Sequence, residues 1–550
     1  MGNRRSTSLA VNRREFVKGS ALASGAFFIN SKFNHLRLAD EPASPFTTPW
    51  VQPLPFTPYK VPLPAFAPLD PLPDFSTLQR YDEFPAVDYY KVNVCEALAC
   101  AHPQLAPCPH TTYDGTVPGP TFMMRYGRPA LVRWENCLPP AMPNFGSCDV
   151  STHIHNGHHA PESDGGPWNY HQPGTCRDCH YPNIYSAGDP REAKGTLFYH
   201  DHCHDFTGPN VYRGLAGFFL LFDNLDSGNE RDANPDAFRL PSGVPDGRRV
   251  RNRYDIPLVI ADRRFDQNGH LSFNTMEMDG ILGDKLLMNG AVQPYFEVER
   301  RKYRFRILNS GIARFVDVWF SNGMTFQYIA NDGNMLPAPM ELNHVPLGVA
   351  ERADIIVDFS QLPASTTEIF LVNRAEHRDG RGPQDDPLPM TSAPKILKFI
   401  VRRETNVPDP SQVPSVLKPL PAMDIPVVRE RHWHFDRENG LWTVNGQLAD
   451  MNRVDAVIKQ GTAEIWNIST SGGWAHPVHM HLEEYRILTH NDQPVAGTVL
   501  GGVKDVFALY PGDEMRLYMK FRDWVGRYVM HCHNTVHEDH AMMVRWDVVA

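Results

Sequence analysis

Long apolar runs are missing from the body of this chain: beyond its N-terminal region it nowhere has the roughly 18 uninterrupted apolar residues that a membrane-spanning helix needs. Stable membrane insertion is therefore not expected. An excess of basic charge is missing too, with 53 Lys and Arg against 63 Asp and Glu and a formal charge of -10. Without a positive field a polyanion has nothing to hold it, so nucleic acid is not expected as a partner. Methionine is not clustered: the 19 methionines are scattered, and Met276 with Met278 comes nearest to a group. At 550 residues the chain exceeds what one hydrophobic core sustains, and about three domains of ordinary size are expected.

The chain does hold histidine in tight groups. Near its end His531, Cys532, His533, His537 and Met542 stand in the order HCHxxxHxxxxM. Thiolate, imidazole and thioether are the donors of a blue-copper electron-transfer site. Successive side chains of a strand point to opposite faces, so Cys532 can bind one metal while His531 and His533 turn together toward another. His153 with His155, and His200 with His202, have the two-residue spacing that puts paired imidazoles on one strand face, and His476, His479 and His481 form a fourth group. A single HxH is as well explained by surface or hydrogen-bonded histidines. Four such groups are not.

With these residues the chain resembles the multicopper oxidases, and among them the three-domain bacterial group of spore-coat laccases, bilirubin oxidases and phenoxazinone synthases. The likeness runs from about residue 90 to the C-terminus, through YDGTVPGPTF (113–122), ESDGG (162–166), YRGLAGFFLL (212–221), RKYRFRILN (301–309), ERADIIVDF (351–359) and HEDHAMM (537–543). The resemblance implies an all-β fold of three cupredoxin-like Greek-key β-sandwich domains and four coppers per chain. Type 1 copper would take His476, Cys532, His537 and Met542; type 2 copper His153 and His479; the type 3 pair His155, His200, His202, His481, His531 and His533. The implied activity is one-electron oxidation of a small organic reductant at the type 1 copper, with electrons passing through Cys532 to its flanking histidines and reducing dioxygen to water. Phenols, aromatic amines and tetrapyrroles are the favoured reductants, since the dense methionine insert of cuprous oxidases is missing. Oxidation of Cu(I) or Mn(II), or a copper-resistance and binding role, are the alternatives. Asp164 and Glu538 stand where the family keeps acidic residues, and are expected to supply protons or to orient ligand imidazoles.

The N-terminus, with NRREFVK at 12–18 followed by a short apolar stretch, resembles a twin-arginine export signal, which implies the Tat machinery as a partner and a periplasmic or otherwise exported monomer. Residues 1–40 are assigned to that signal, and proline-rich 41–75 to an extended arm packed on a neighbouring domain, because proline removes backbone donors and fixes φ. Short strands are expected at 92–94, 130–134, 218–222, 303–308, 355–359, 369–372, 396–401 and 528–530, rich in β-branched and aromatic residues and making antiparallel sandwiches. In 302–307 a charged face alternates with an apolar one. The domains are placed at 76–226, 227–405 and 406–550, with linkers at 223–246 and 405–426. The ligand groups then fall only in the first and last domains, leaving the middle one as spacer and wall.

Besides Cys532 there are eight cysteines, an even number that permits disulfides outside the cytoplasm. CRDCH, Cys176 to His180, matches the pattern of c-type haem attachment, against a disulfide or an incidental pair. Covalent haem attachment needs an accessible unfolded segment, which fits poorly with export in the folded state. His158, His159, His171 and His204 are expected to support the site or lie at the surface, and Cys203 to be a small buried hydrophobe.

Overall fold

Six β-sheets, two for each third of the chain, make up the computed structural model, which describes residues 42–64, 69–142, 144–242, 254–384, 386–402 and 408–550. The export-signal assignment at 1–40 lies outside the described residues. In the first third, strands Tyr59–Lys60, Thr121–Arg125, Ala216–Phe222, Thr196–Asp201 and Thr152–His155 form one sheet, and Cys108–Tyr113, Asp88–Ala99, Ala130–Asn136 and Cys176–Tyr181 the other. Eight- and five-stranded sheets follow in the middle third, and seven- and five-stranded sheets in the last. Each pair encloses its own core, around Tyr113 and Trp134, around Phe305 and Phe399, and around Trp466 and Trp546. These are the cupredoxin-like sandwiches of an all-β protein.

All eight expected strand segments fall on strands, except that Arg352–Asp358 ends one residue short of Phe359, which begins a short 3-10 turn. The expectation of purely antiparallel sandwiches is corrected. Asp88–Ala99 runs parallel to Ala130–Asn136, and Asp255–Phe265 parallel to Lys302–Asn309. These neighbours in space are not neighbours in sequence: the chain crosses to the opposite sheet between them and returns in the same direction.

The alternation at 302–307 also has a different meaning from that of a solvated face. Arg304 and Arg306 are fully buried, and pair with Asp226, Asp255 and Asp354. Buried guanidinium groups are tolerated because each fork meets carboxylates with good geometry. Asp226 belongs to the segment read as the first linker, and Asp409, in the second, pairs with Arg301. The described parts of both linkers are thus clamped to the middle sheets; 243–253 and 403–407 lie outside the described residues. The proline-rich arm, expected to stay out of the sheets, joins one: Tyr59–Lys60 pairs in parallel with Thr121 and Phe122. Farther up the arm Leu54 N–H donates to Tyr295 O, on the middle third.

Two short helices, one from the first third of the chain and one from the last, lie in contact. Thr207–Arg213 begins where Asp539 accepts the Thr207 and Gly208 N–H groups, at 2.8 and 2.9 Å. Thr535–Asp539 is started by the Asn534 side chain, which accepts from Val536 N–H.

Candidate metal centres

Strands Thr152–His155 and Thr196–Asp201 lie side by side with His153 opposite His200, and His476–Met480 lies beside Gly526–Cys532 with His479 opposite His531. The one-residue alternation then sorts the donors. Val478 and Cys532, also paired, point into the apolar core of the last sandwich, while the histidines on either side of them point out of it. The outward histidines of the last sandwich meet those of the first. His202 Nε2 lies 3.2 Å from His531 Nε2, which is 3.3 Å from His481 Nε2. The His153 and His481 rings stack at 3.9 Å, and His155 and His479 at 3.6 Å. His533 completes the group with its ring centre 5.1 Å from both His155 and His200.

What turns these rings inward is the anchoring of their outer nitrogens. Nδ1 of His153, His200 and His479 lies 2.6, 2.8 and 2.9 Å from the carbonyl oxygens of Asp164, Asp201 and Asp505. Nδ1 of His481 lies 2.6 Å from Asp164 Oδ2. Glu538 approaches two rings at once, with Oε2 3.1 Å from His531 Nδ1 and Oε1 3.3 Å from His202 Nδ1, while the Thr207 hydroxyl donates to Oε1 at 2.6 Å. The Nε2 atoms of His153, His155, His200, His479 and His533 are buried and accept or donate no hydrogen bond, although His155 Nε2 lies 3.5 Å from Asp505 Oδ1. Buried polar atoms are nearly always satisfied, so a convergent set of lone pairs is the donor set of a cation.

The second group lies inside the last sandwich. Cys532 Sγ is 3.5 Å from His476 Nδ1 and from His537 Nδ1, and the two nitrogens are 3.3 Å apart. Such a triangle is close to that of trigonal donors held about 2.0–2.3 Å from one centre. Here the inner nitrogen is Nδ1, because His537 Nε2 is taken outside by Asp279 O at 2.9 Å and faces Asn534 Nδ2 at 3.0 Å. Met542 is fully buried in the same core, its main chain bonded to Cys532 and His537. Trp442 stacks on the His537 ring with centres 3.6 Å apart.

Burial keeps both groups in ligand form. It pushes His200 down to about 4, and His202 and His476 down to about 3, so these imidazoles stay neutral with a lone pair available. It pushes the Cys532 thiol up, and a bound cation is what would hold it as thiolate. The two carboxyls differ. Burial raises Asp164 well above the carboxylate range. For Glu538 burial acts the same way, but His531 and His202 outweigh it and hold the group below that range.

Two family models described as multicopper oxidase match residues 100–225 and 424–550, the two segments that hold all twelve donors. The bilirubin oxidase of Albifimbria verrucaria is 32% identical over 471 residues, covering 84% of this chain and 76% of that one. The chain belongs to the multicopper oxidases. A laccase of Bacillus stratosphericus is 31% identical over 84% of this chain and 96% of its own length. Among solved structures, the laccase of Pediococcus acidilactici superposes with a TM-score of 0.73 at 23% identity, over 93% of this chain and 95% of that one, which speaks for the fold. As a multicopper oxidase the protein is a copper-dependent oxidoreductase with dioxygen as acceptor.

Of the residues singled out from sequence, the structure brings ten histidines and Cys532 into the two groups, buries Met542 beside the smaller one, and places Asp164 and Glu538 against the larger. Glu538 follows His537 in sequence but reaches toward the other group. His158 instead meets Asp523 at 2.8 Å, and His204 meets Asp205 at 2.7 Å; His159 and His171 are buried outside the donor groups. Cys203 is buried, as expected. The haem reading of CRDCH fails: Cys176 and Cys179 lie three residues apart on one strand, exposed and buried respectively, and His180 Nε2 is bonded to Phe84 O. Opposite faces rule out a mutual disulfide as well. Sequence reasoning missed Asp279, Trp442 and Asp505. Asp279 lies in the middle third, so that region contributes a direct contact to His537 and is more than spacer and wall.

Proposed function

We propose that the chain is a laccase-type oxidase with four coppers, one held by His476, Cys532, His537 and Met542 (type 1), and three by the larger group. Within that group His153 and His479 serve the type 2 copper, and His155, His200, His202, His481, His531 and His533 the type 3 pair. The observation that carries this reading is the strand Gly526–Cys532, which puts Cys532 Sγ in one donor group and the adjacent His531 in the other. Bound copper supplies one-electron oxidation of a phenolic, aromatic or tetrapyrrole donor on one side and reduction of dioxygen to water on the other.

The protein's own part is insulation, wiring and protons. The apolar core around Cys532 excludes water from the smaller group, and the Cys532 main chain bonds to His531, whose Nδ1 lies 3.2 Å from Cys532 O. Oxygen reduction consumes protons, and the two carboxylates at the larger group are pushed in opposite directions, which is how acid and base roles are divided. Asp164, whose Oδ1 makes no hydrogen bond and lies 3.5 Å from His153 Nδ1, is the proton carrier. Glu538 is the anion that orients His202 and His531. The twin-arginine-like N-terminus supports export of a folded monomer by the Tat machinery to the periplasm or beyond.

Copper analysis and oxygen uptake test the reading together. Copper-loaded protein should hold about four coppers per chain, absorb strongly in the red, and consume oxygen with phenols or bilirubin faster than with Cu(I) or Mn(II). Copper binding without oxygen uptake would leave a binding protein, and a preference for Cu(I) or Mn(II) a metal-ion oxidase.

A further inference from the structure

Away from the donor groups, a cavity of about 210 Å³ opens between the first and middle thirds of the chain. Its walls are largely apolar, with Val117, Val259 and Leu287 among them, but Arg263 lines it as well. Arg263 is only 7% exposed. Its guanidinium donates to two main-chain carbonyls, Asp262 O at 2.8 Å and Val211 O at 3.0 Å, and lies 4.5 Å over the Tyr212 ring. Among the described residues it has no carboxylate partner. Asp262, next to it on the strand, turns the other way and accepts from Arg314 and from Gly283 N–H. Glu96 pairs with Arg213.

An arginine cannot shed its proton, and a charge removed from water without a counter-ion is strongly disfavoured. The Asp262 carboxylate acts on Arg263 through its field but forms no ion pair with it. His110, also in the cavity wall, is pushed down to about 4 by burial, with Arg263 and Arg213 adding to the effect. Carbonyl contacts leave the guanidinium hydrogen-bonded but not neutralised, and mostly apolar walls with one fixed cation are how small organic anions are bound.

We infer that this cavity binds a small organic monocarboxylate, with its carboxylate on the Arg263 guanidinium and its apolar part against Val117, Val259 and Leu287. The floor of the site is the carbonyl end of helix Thr207–Arg213, through Val211 O, and the first residue of that helix holds Glu538. Calorimetric titration of the copper-loaded protein with benzoate, and with uncharged benzamide as control, tests the inference. Benzoate should bind saturably at one site per chain and at least about tenfold more tightly than benzamide, with the red absorption unchanged throughout. Arg263→Gln should weaken benzoate at least about tenfold. Ala261→Phe, which keeps Arg263 but fills the cavity, should do the same and decides the matter if the arginine variant does not fold. Absence of saturable benzoate binding overturns the inference, as does binding that survives Ala261→Phe. Binding accompanied by a change in the red absorption would place the anion at copper and overturns it too.

Discussion

At the Cys532 group the donors come from one sandwich and sit in an apolar core, whereas the larger histidine group draws four rings from the first third of the chain and four from the last and is held by polar anchors. The difference extends to single atoms. In the small group the histidines present Nδ1, in the large group mainly Nε2, because different ring nitrogens are anchored behind them. Insulation by core packing suits a centre that only passes electrons. A centre that must take up protons needs carboxylates at its wall, and has Asp164 and Glu538 there.

The sharpest way to break this contrast is Cys532→Ser. Loss of the thiolate should abolish the red absorption and take donor oxidation to background, while copper at the large group is retained. Metal analysis with absorption spectroscopy reads both at once, and residual phenol oxidation would mean that electrons enter elsewhere. Asp164→Asn should act on the other side alone. It loosens the anchor of His481 and removes a proton carrier, so turnover should fall about 10- to 100-fold with the red absorption intact. Glu538→Gln keeps the shape but removes the charge shared by His202 and His531, and should slow turnover about tenfold while donor reduction of the Cys532 centre proceeds at the parent rate. Stopped-flow reduction under nitrogen separates the two steps.

Acid should sharpen the comparison next. His200, His202 and His476 have folded-state pKa values of about 4, 3 and 3, below the roughly 6.5 of an unfolded histidine. The unfolded chain therefore binds more protons, and stability present above about pH 6.5 is lost progressively as pH falls toward 4. Copper-free protein should show a melting temperature that drops over this window, and copper-loaded protein a smaller drop, since bound metal competes with the proton. The smallest expected effect is that of Trp442→Phe. It keeps a ring against His537 but loses the indole N–H bond to Met278 O, and should cost about 1 kcal/mol in chemical denaturation with turnover within about threefold of the parent.

Much of the large group was legible in the residues themselves. A two-residue spacing within a strand is a local rule, so HxH and HCH could be read as ligand pairs before any fold was known, and Met542 and His537 belonged to the same short segment. Strand positions were legible for the same reason. The cross-strand partners, the parallel pairings and the burial of Arg304 and Arg306 were not. A charged face at 302–307 has the same pattern whether it meets water or Asp255 and Asp354, and only the approach of other segments decides between them.

The sequence by itself determined the donor types, the alternation that splits Cys532 from His531, the all-β class, and the family. Tertiary structure alone decided which histidines face one another across the first and last thirds, that Glu538 serves the group opposite to its neighbour His537, and that Asp279 of the middle third holds the His537 ring. It also settled the CRDCH motif, by laying Cys176 and Cys179 on opposite faces of a strand. The physical reason is range. Backbone geometry over a few residues is set by covalent structure and is written locally, whereas contacts between residues hundreds of positions apart exist only after the sandwiches have packed.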